Sequence, residues 1–104
     1  MIKHIVLLEF ASAVDELKIN RVLEKLGDLR FSEVPQIKHF SYGKNCSSED
    51  LNHGFNYAFI MEFATVVDRN IYLDNATHKY IAKHDVLPLL ANGGESVMVM
   101  DYLT

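Results

Sequence analysis

The sequence holds one cysteine, Cys46, no tryptophan and two prolines in 104 residues. A lone thiol closes no disulfide within the chain and builds no thiolate cage for zinc, so the fold must do without either staple. Basic residues are sparse as well: ten Lys and Arg against fourteen Asp and Glu leave a net charge of −4. No window gathers the cations into a stripe able to neutralise phosphates, which excludes a nucleic-acid partner. The longest apolar run, Val86 to Ala91, covers six residues and includes Pro88, against the ~20 residues a helix needs to cross a bilayer. The first residues lack the basic region, long apolar stretch and cleavage site of a secretory signal, so the expectation is a cytoplasmic chain with no membrane partner.

What the chain has in quantity is Leu, Ile, Val and Phe, 34 of its 104 residues, well above the ~20% below which chains stay disordered. That length suits one domain over residues 1–104 with one core. Ile2 to Phe10 is short, β-branched and apolar at both parities in its middle, the pattern of a strand covered on both faces. From Asp15, a candidate N-cap, the period changes, and Leu17, Val22, Leu23, Leu26 and Leu29 form a helical stripe. Gln36 to Asn45 reads as a strand with Phe40 and Tyr42 on one side and Ile37 and His39 on the other. A polar loop, Cys46 to Gly54, leads to a strand over Phe55 to Phe63. Val66 to Leu73 reads as helix, Asp74 and Asn75 break and recap it, and Ala76 to Lys83 resumes until Pro88 disturbs the end. After the Asn92-Gly93-Gly94 turn, Glu95 to Leu103 closes the chain as a strand.

The predicted order, βαββαβ, is that of an α+β, ferredoxin-like four-stranded antiparallel sheet. Two helices cover one face of such a sheet. Ile5, Leu7, Ala58, Ile60, Met98, Met100 and Tyr102 make the opposite face apolar too, and a second copy of the chain is the simplest cover for it. The predicted helix-facing set is His4, Val6, Leu8, Tyr57, Phe59, Met61, Val97, Val99 and Asp101. Centring the first and last strands on each other sets His4 opposite Asp101, a His–carboxylate pair that would either orient a base or satisfy two buried polar groups.

The strings Lys3-His4-Ile5-Val6-Leu7, Tyr42-Gly43-Lys44-Asn45-Cys46-Ser47, Leu51-Asn52-His53-Gly54-Phe55-Asn56-Tyr57, Tyr72 through His78, and Asp101-Tyr102 resemble, in order and spacing, the stress-responsive A/B barrel (Dabb) family of the dimeric α/β-barrel superfamily. The resemblance implies a ferredoxin-like unit whose sheet meets that of a second copy face to face, closing one β-barrel in a homodimer. Most members are known by stress association rather than by a reaction. Some plant members are polyketide cyclases, in which a tyrosine and a histidine six residues apart act on a linear polyketide between helices and sheet. Tyr72 and His78 stand at that spacing, so the resemblance implies catalytic roles for them. The His-Pro pair usual before that histidine is Asn75-Ala76 here, and the strand motif Gly-Tyr-Thr-His ends in Tyr57. Some members hold magnesium through backbone carbonyls, which leave no side-chain signature, and neither metal nor cofactor is expected.

In an unbroken helix six residues turn ~600°, leaving Tyr72 and His78 about 120° off a common face. The Asp74-Asn75 break lets both turn toward the sheet, beside Ile71, Ala76 and Ile81. There an imidazole titrating near neutral pH would move a proton at carbon beside a carbonyl, while the phenol hydrogen-bonds the enolate oxygen. His4, Val6, Leu8, Tyr57, Phe59 and Asp101 would line the pocket. His39, His53 and His84 are spaced for no metal site, and Cys46 has no base beside it. The readings left open are a homodimer binding a small apolar ligand in the helix–sheet cleft, a cofactor-free cyclase or lyase using Tyr72 and His78, and a module whose role is dimerisation. An open cleft favours the first two, whereas Phe40, Phe59 and Met61 filling it favours the third.

Overall fold

Alternating burial along Ile2–Leu8 sets the frame of the molecule, in a computed structural model that describes residues 1–104. Strand β1 (Ile2–Leu8) turns Ile2, His4, Val6 and Leu8 into the interior and leaves Lys3, Ile5 and Leu7 half-buried on the other side. It is followed by α1 (Glu16–Gly27), β2 (His39–Lys44), β3 (Tyr57–Phe63), α2 (Val66–Asp74), α3 (Ala76–Ile81) and β4 (Val97–Leu103). The four strands form one sheet in the order β2-β3-β1-β4, each pair antiparallel, so β2 and β4 are its margins. Two interleaved strand–helix–strand units, β1-α1-β2 and β3-α2-α3-β4, with β1 and β3 at the centre of the sheet, make this the ferredoxin-like arrangement that the sequence pattern predicts.

Helix α1 begins where the Asp15 carboxylate accepts the Leu17 N–H at 2.8 Å, satisfying a donor that the first turn leaves free. It packs Ile19, Val22, Leu23 and Leu26 on the sheet. Gly27, the last residue of α1, lies against the flat of the Phe40 ring, where a Cβ would overlap the ring atoms; only glycine lets helix and β2 approach so closely. Asn75 separates α2 from α3. Its backbone is extended (φ −63°, ψ 129°), and its side chain accepts the His78 N–H at 2.8 Å, ending one helix and capping the next. After Ile81 the helix widens into a π turn over Ala82–Val86 and tightens into a 3-10 turn over Leu87–Leu89 around Pro88.

Several predicted boundaries move, each for a local reason. β1 stops at Leu8 because the Asn56 side chain takes over the backbone of Phe10, accepting its N–H and donating to its carbonyl at 2.9 Å each, so Phe10 keeps only a lone bridge to Leu90. β2 starts at His39 rather than Gln36. A turn at Pro35, closed by Ile37 N–H to the Val34 carbonyl, folds Val34 and Ile37 into the core instead of onto a strand face. β3 and β4 start two residues late, the latter after a 3-10 turn over Gly93–Ser96. Leu17 of the predicted α1 stripe faces solvent while Ile19 takes the inward place, and Leu29 is buried from a 3-10 turn beyond the helix. Ile71 and Ala76, expected to face the sheet, are exposed: Tyr72 takes the inward place beside Ile71 on α2, and Ala76 opens α3 directly after the Asn75 break.

The face of the sheet away from the helices carries Ile60, Met98, Met100 and Tyr102 exposed, beside half-buried Ile5, Leu7 and Ala58. On the helix-facing parity, marginal β4 also leaves Val99 55% exposed, so the helices do not reach the edge of the sheet. No helix is long and apolar enough to cross a membrane.

Candidate functional site

A cavity of about 530 Å³ opens where that cover is incomplete, between the α2–α3 junction, the turns that follow it and strands β1 and β4. Tyr72 and His78 line it with His4, Val6, Leu8, Phe59 and Asp101. Tyr57 shares their sheet face but lies at the far end of β3, opposite Leu8 and Lys44. Its ring stands edge-on to Phe10 at 5.4 Å and lines other hollows. The cleft is open. Met61 is sealed in the core and Phe40 lies over Gly27, so of the three side chains whose filling of the cleft would favour a purely structural role only Phe59 reaches it.

The break at Asn75 brings Tyr72 and His78 together, their ring centroids 4.1 Å apart at 32°. Tyr72 is 1% exposed and packs between Phe63 and the edge of the His4 ring. Burial raises its phenol well above the ordinary range, so the hydroxyl stays protonated at any physiological pH. His78 is pushed the other way. Burial lowers its pKa, the neighbouring His4 and Lys79 add to the effect, and the carbonyls of Leu73 and Tyr72 oppose it. The imidazole is therefore neutral at pH 7, and its Nδ1 is buried without a hydrogen-bond partner.

Behind this pair stands a second polar group. His4, 4% exposed on the central strand, holds Asp101 Oδ1 of β4 through Nδ1 at 2.7 Å, and the other carboxylate oxygen accepts Arg69 Nη1 of α2 at 2.9 Å. A carboxylate only accepts, so the His4 Nδ1 carries the proton and the ring is fixed in orientation. Arg69 is a member the sequence reading missed. It lies three residues before Tyr72 on α2, on the same helix face, the one signal that would have nominated it.

The remaining candidates scatter. His39 and His53 are exposed, and His84 is exposed and stacked on Tyr80 at 4.3 Å. Cys46 is free and exposed in the loop after β2. No three His, Cys, Asp or Glu side chains gather as metal ligands. A hollow of about 650 Å³ lies on the opposite sheet face, between Leu7, Ile60, Met98 and the 45–55 loop. It contains no buried ionisable pair, so the chemistry converges on the helix-side cavity instead.

This architecture matches known proteins over nearly its whole length. An Arabidopsis thaliana protein of known crystal structure superposes with a TM-score of 0.86 at 26% identity, covering 100% of this chain and 95% of that one. A hydroxynitrile lyase from Passiflora edulis superposes at 0.83 with 23% identity over 99% of this chain and 92% of its own. A dimeric ferredoxin-like protein of unknown function from Jannaschia gives 0.80 at 23% identity, covering 99% and 98%. Among curated protein sequences, no relative matches this chain. The profile of the stress responsive A/B barrel domain matches residues 2–104, and on that match, with the sheet order and helix placement described above, the chain belongs to the stress responsive A/B barrel family.

Proposed function

We propose that the chain acts as a homodimer that binds a small, largely apolar molecule bearing a carbonyl or hydroxyl group in the helix–sheet cavity. One observation carries the reading: the His78 Nδ1 is buried without a partner, on a ring 4.1 Å from that of Tyr72, in a mostly apolar hollow. Leaving such an atom unsatisfied costs about 1–3 kcal/mol, which a polar group on a ligand would offset once a turn of the ring brings Nδ1 to the cavity. The volume falls within the ~300–1,000 Å³ of sites that enclose most of a small molecule. NMR of labelled protein titrated with 2-decanone tests it. Shifts should concentrate on Tyr72, His78 and Val6, and weaken in His78→Ala; shifts confined to the 45–55 loop would overturn the reading.

A second reading, acid–base catalysis without a cofactor, is favoured by the opposed states of the pair, a neutral imidazole beside a protonated phenol. His78 would take a proton from carbon next to a carbonyl, as in an aldol-type cyclisation, and Tyr72 would donate to the enolate oxygen. The Passiflora lyase shares the fold, which supports the scaffold's capacity to carry an enzyme active site and nothing finer. The wild-type chain should then exchange the α-protons of bound 2-decanone with D2O. His78→Ala should abolish the exchange and Tyr72→Phe slow it, while equal exchange in all three proteins would remove catalysis and leave binding.

A further inference from the structure

We infer that the cavity selects an amphipathic anion, an apolar body ending in a carboxylate or phosphate, with Lys79 and Lys83 holding the charged end; the inference rests on the cavity being a ligand site. The two lysines stand four residues apart at the start of a stripe, continued by Ala82, Val86, Leu87 and Leu90, that forms one wall of the hollow. Both line the hollow and are exposed, so their ammonium groups are free to reach water.

Neither lysine has an anionic partner. The ion pairs of the chain engage Lys3, Lys25, Lys44, Arg69 and His4. The only carboxylate lining the cavity is Asp101, and both of its oxygens are committed, to His4 and to Arg69. The nearby Asp85 pairs with Lys25 at 2.9 Å. Two like charges at this spacing on a helix repel each other, and an anion between them would relieve that repulsion. Nothing about the chain as a whole favours anions, since its net charge is −4. The preference would therefore be a property of this hollow.

The placement also fixes how such a ligand would lie. Its charged end would sit next to Lys79, one residue from His78, and its apolar body against Val6, Leu8 and Val97. The carbon nearest the anionic group would then be the one presented to the Tyr72–His78 pair.

Isothermal titration with decanoate, decyl phosphate, decanol and decylamine tests this on the wild-type chain and on the double variant Lys79→Gln, Lys83→Gln. Two solvent-screened charge contacts correspond to decanoate binding up to about tenfold tighter than decanol at low ionic strength. That preference should shrink in 0.5 M salt and vanish in the double variant. Whichever of decanoate and decyl phosphate binds tighter identifies the anionic group. A preference for decanol or decylamine in the wild type, or a decanoate preference that survives in the double variant, would overturn the anion site while leaving the cavity as a binding site. If none of the four binds, the cavity reading fails and this inference falls with it.

Discussion

His78 is the residue whose environment differs most from what the sequence alone conveys. Its burial disfavours the imidazolium, so below pH 6.5 the unfolded chain takes up a proton that the folded chain refuses. Its contribution is therefore absent above pH 6.5, becomes destabilising as pH falls through that value, and levels off below the depressed folded-state pKa. Urea unfolding of wild type and His78→Gln between pH 7.5 and 5 should converge at the acidic end, or cross, with the wild type losing more stability. Asp101 makes a second test. Asp101→Asn would leave the 4%-exposed His4 facing an uncharged partner and Arg69 without its carboxylate, at a cost of about 1–3 kcal/mol in denaturant midpoints. The His4–Asp101 contact was legible because antiparallel register sets which residues face each other, and both are named by a count along two strands. Arg69 was not, since its reach across to β4 depends on where α2 lies over the sheet, which no local pattern states.

At the scale of elements, the Asn75 break decides whether Tyr72 and His78 form a site at all. Asn75→Ala would remove the acceptor of the His78 N–H at 2.8 Å and let α2 run on toward α3. The expected loss is about 1 kcal/mol from the cap, together with collapse of the Tyr72–His78 stacking, visible as lost ring-current shifts on both side chains. Unchanged ring shifts would mean that tertiary packing alone holds the pair. The sequence displayed this break because Asp and Asn cap helices through a short polar side chain. The π turn at Ala82–Val86 was invisible to it, because an extra residue in a helical turn disturbs no hydrophobic period strongly enough to show. The end of β1 slipped for a similar reason: Asn56 stops the strand from a distance, through its side chain and not through anything in β1 itself.

For the whole molecule, the apolar sheet face is the feature that most needs an explanation. Ile60, Met98, Met100 and Tyr102 lie exposed on it, and each Å² of apolar surface left in water forgoes about 25 cal/mol. Sedimentation velocity at micromolar concentration should show a dimer for the wild-type chain and a monomer for Ile60→Glu, and a monomeric wild type would contradict the proposed assembly. Both parities of β1, β3 and β4 read as apolar in the sequence, and that pattern by itself calls for a cover over this face. How far the helices extend over the other face was not readable, and the cavity exists because they stop short of β4.

The marginal position of β4 bears on the fate of a chain that fails to find its copy. Val97–Leu103 reads Val-Met-Val-Met-Asp-Tyr-Leu, seven residues with one charge, no proline, and one row of backbone donors and acceptors unmatched by any neighbour in the chain. A strand of that composition, open along its free edge, is a template for indefinite addition of like strands. Solubility and assembly would then be one property: a variant such as Ile60→Glu that dissociates the pair should, on prolonged incubation, raise thioflavin fluorescence and light scattering, and a lysine in place of Val99 should suppress both without restoring the dimer.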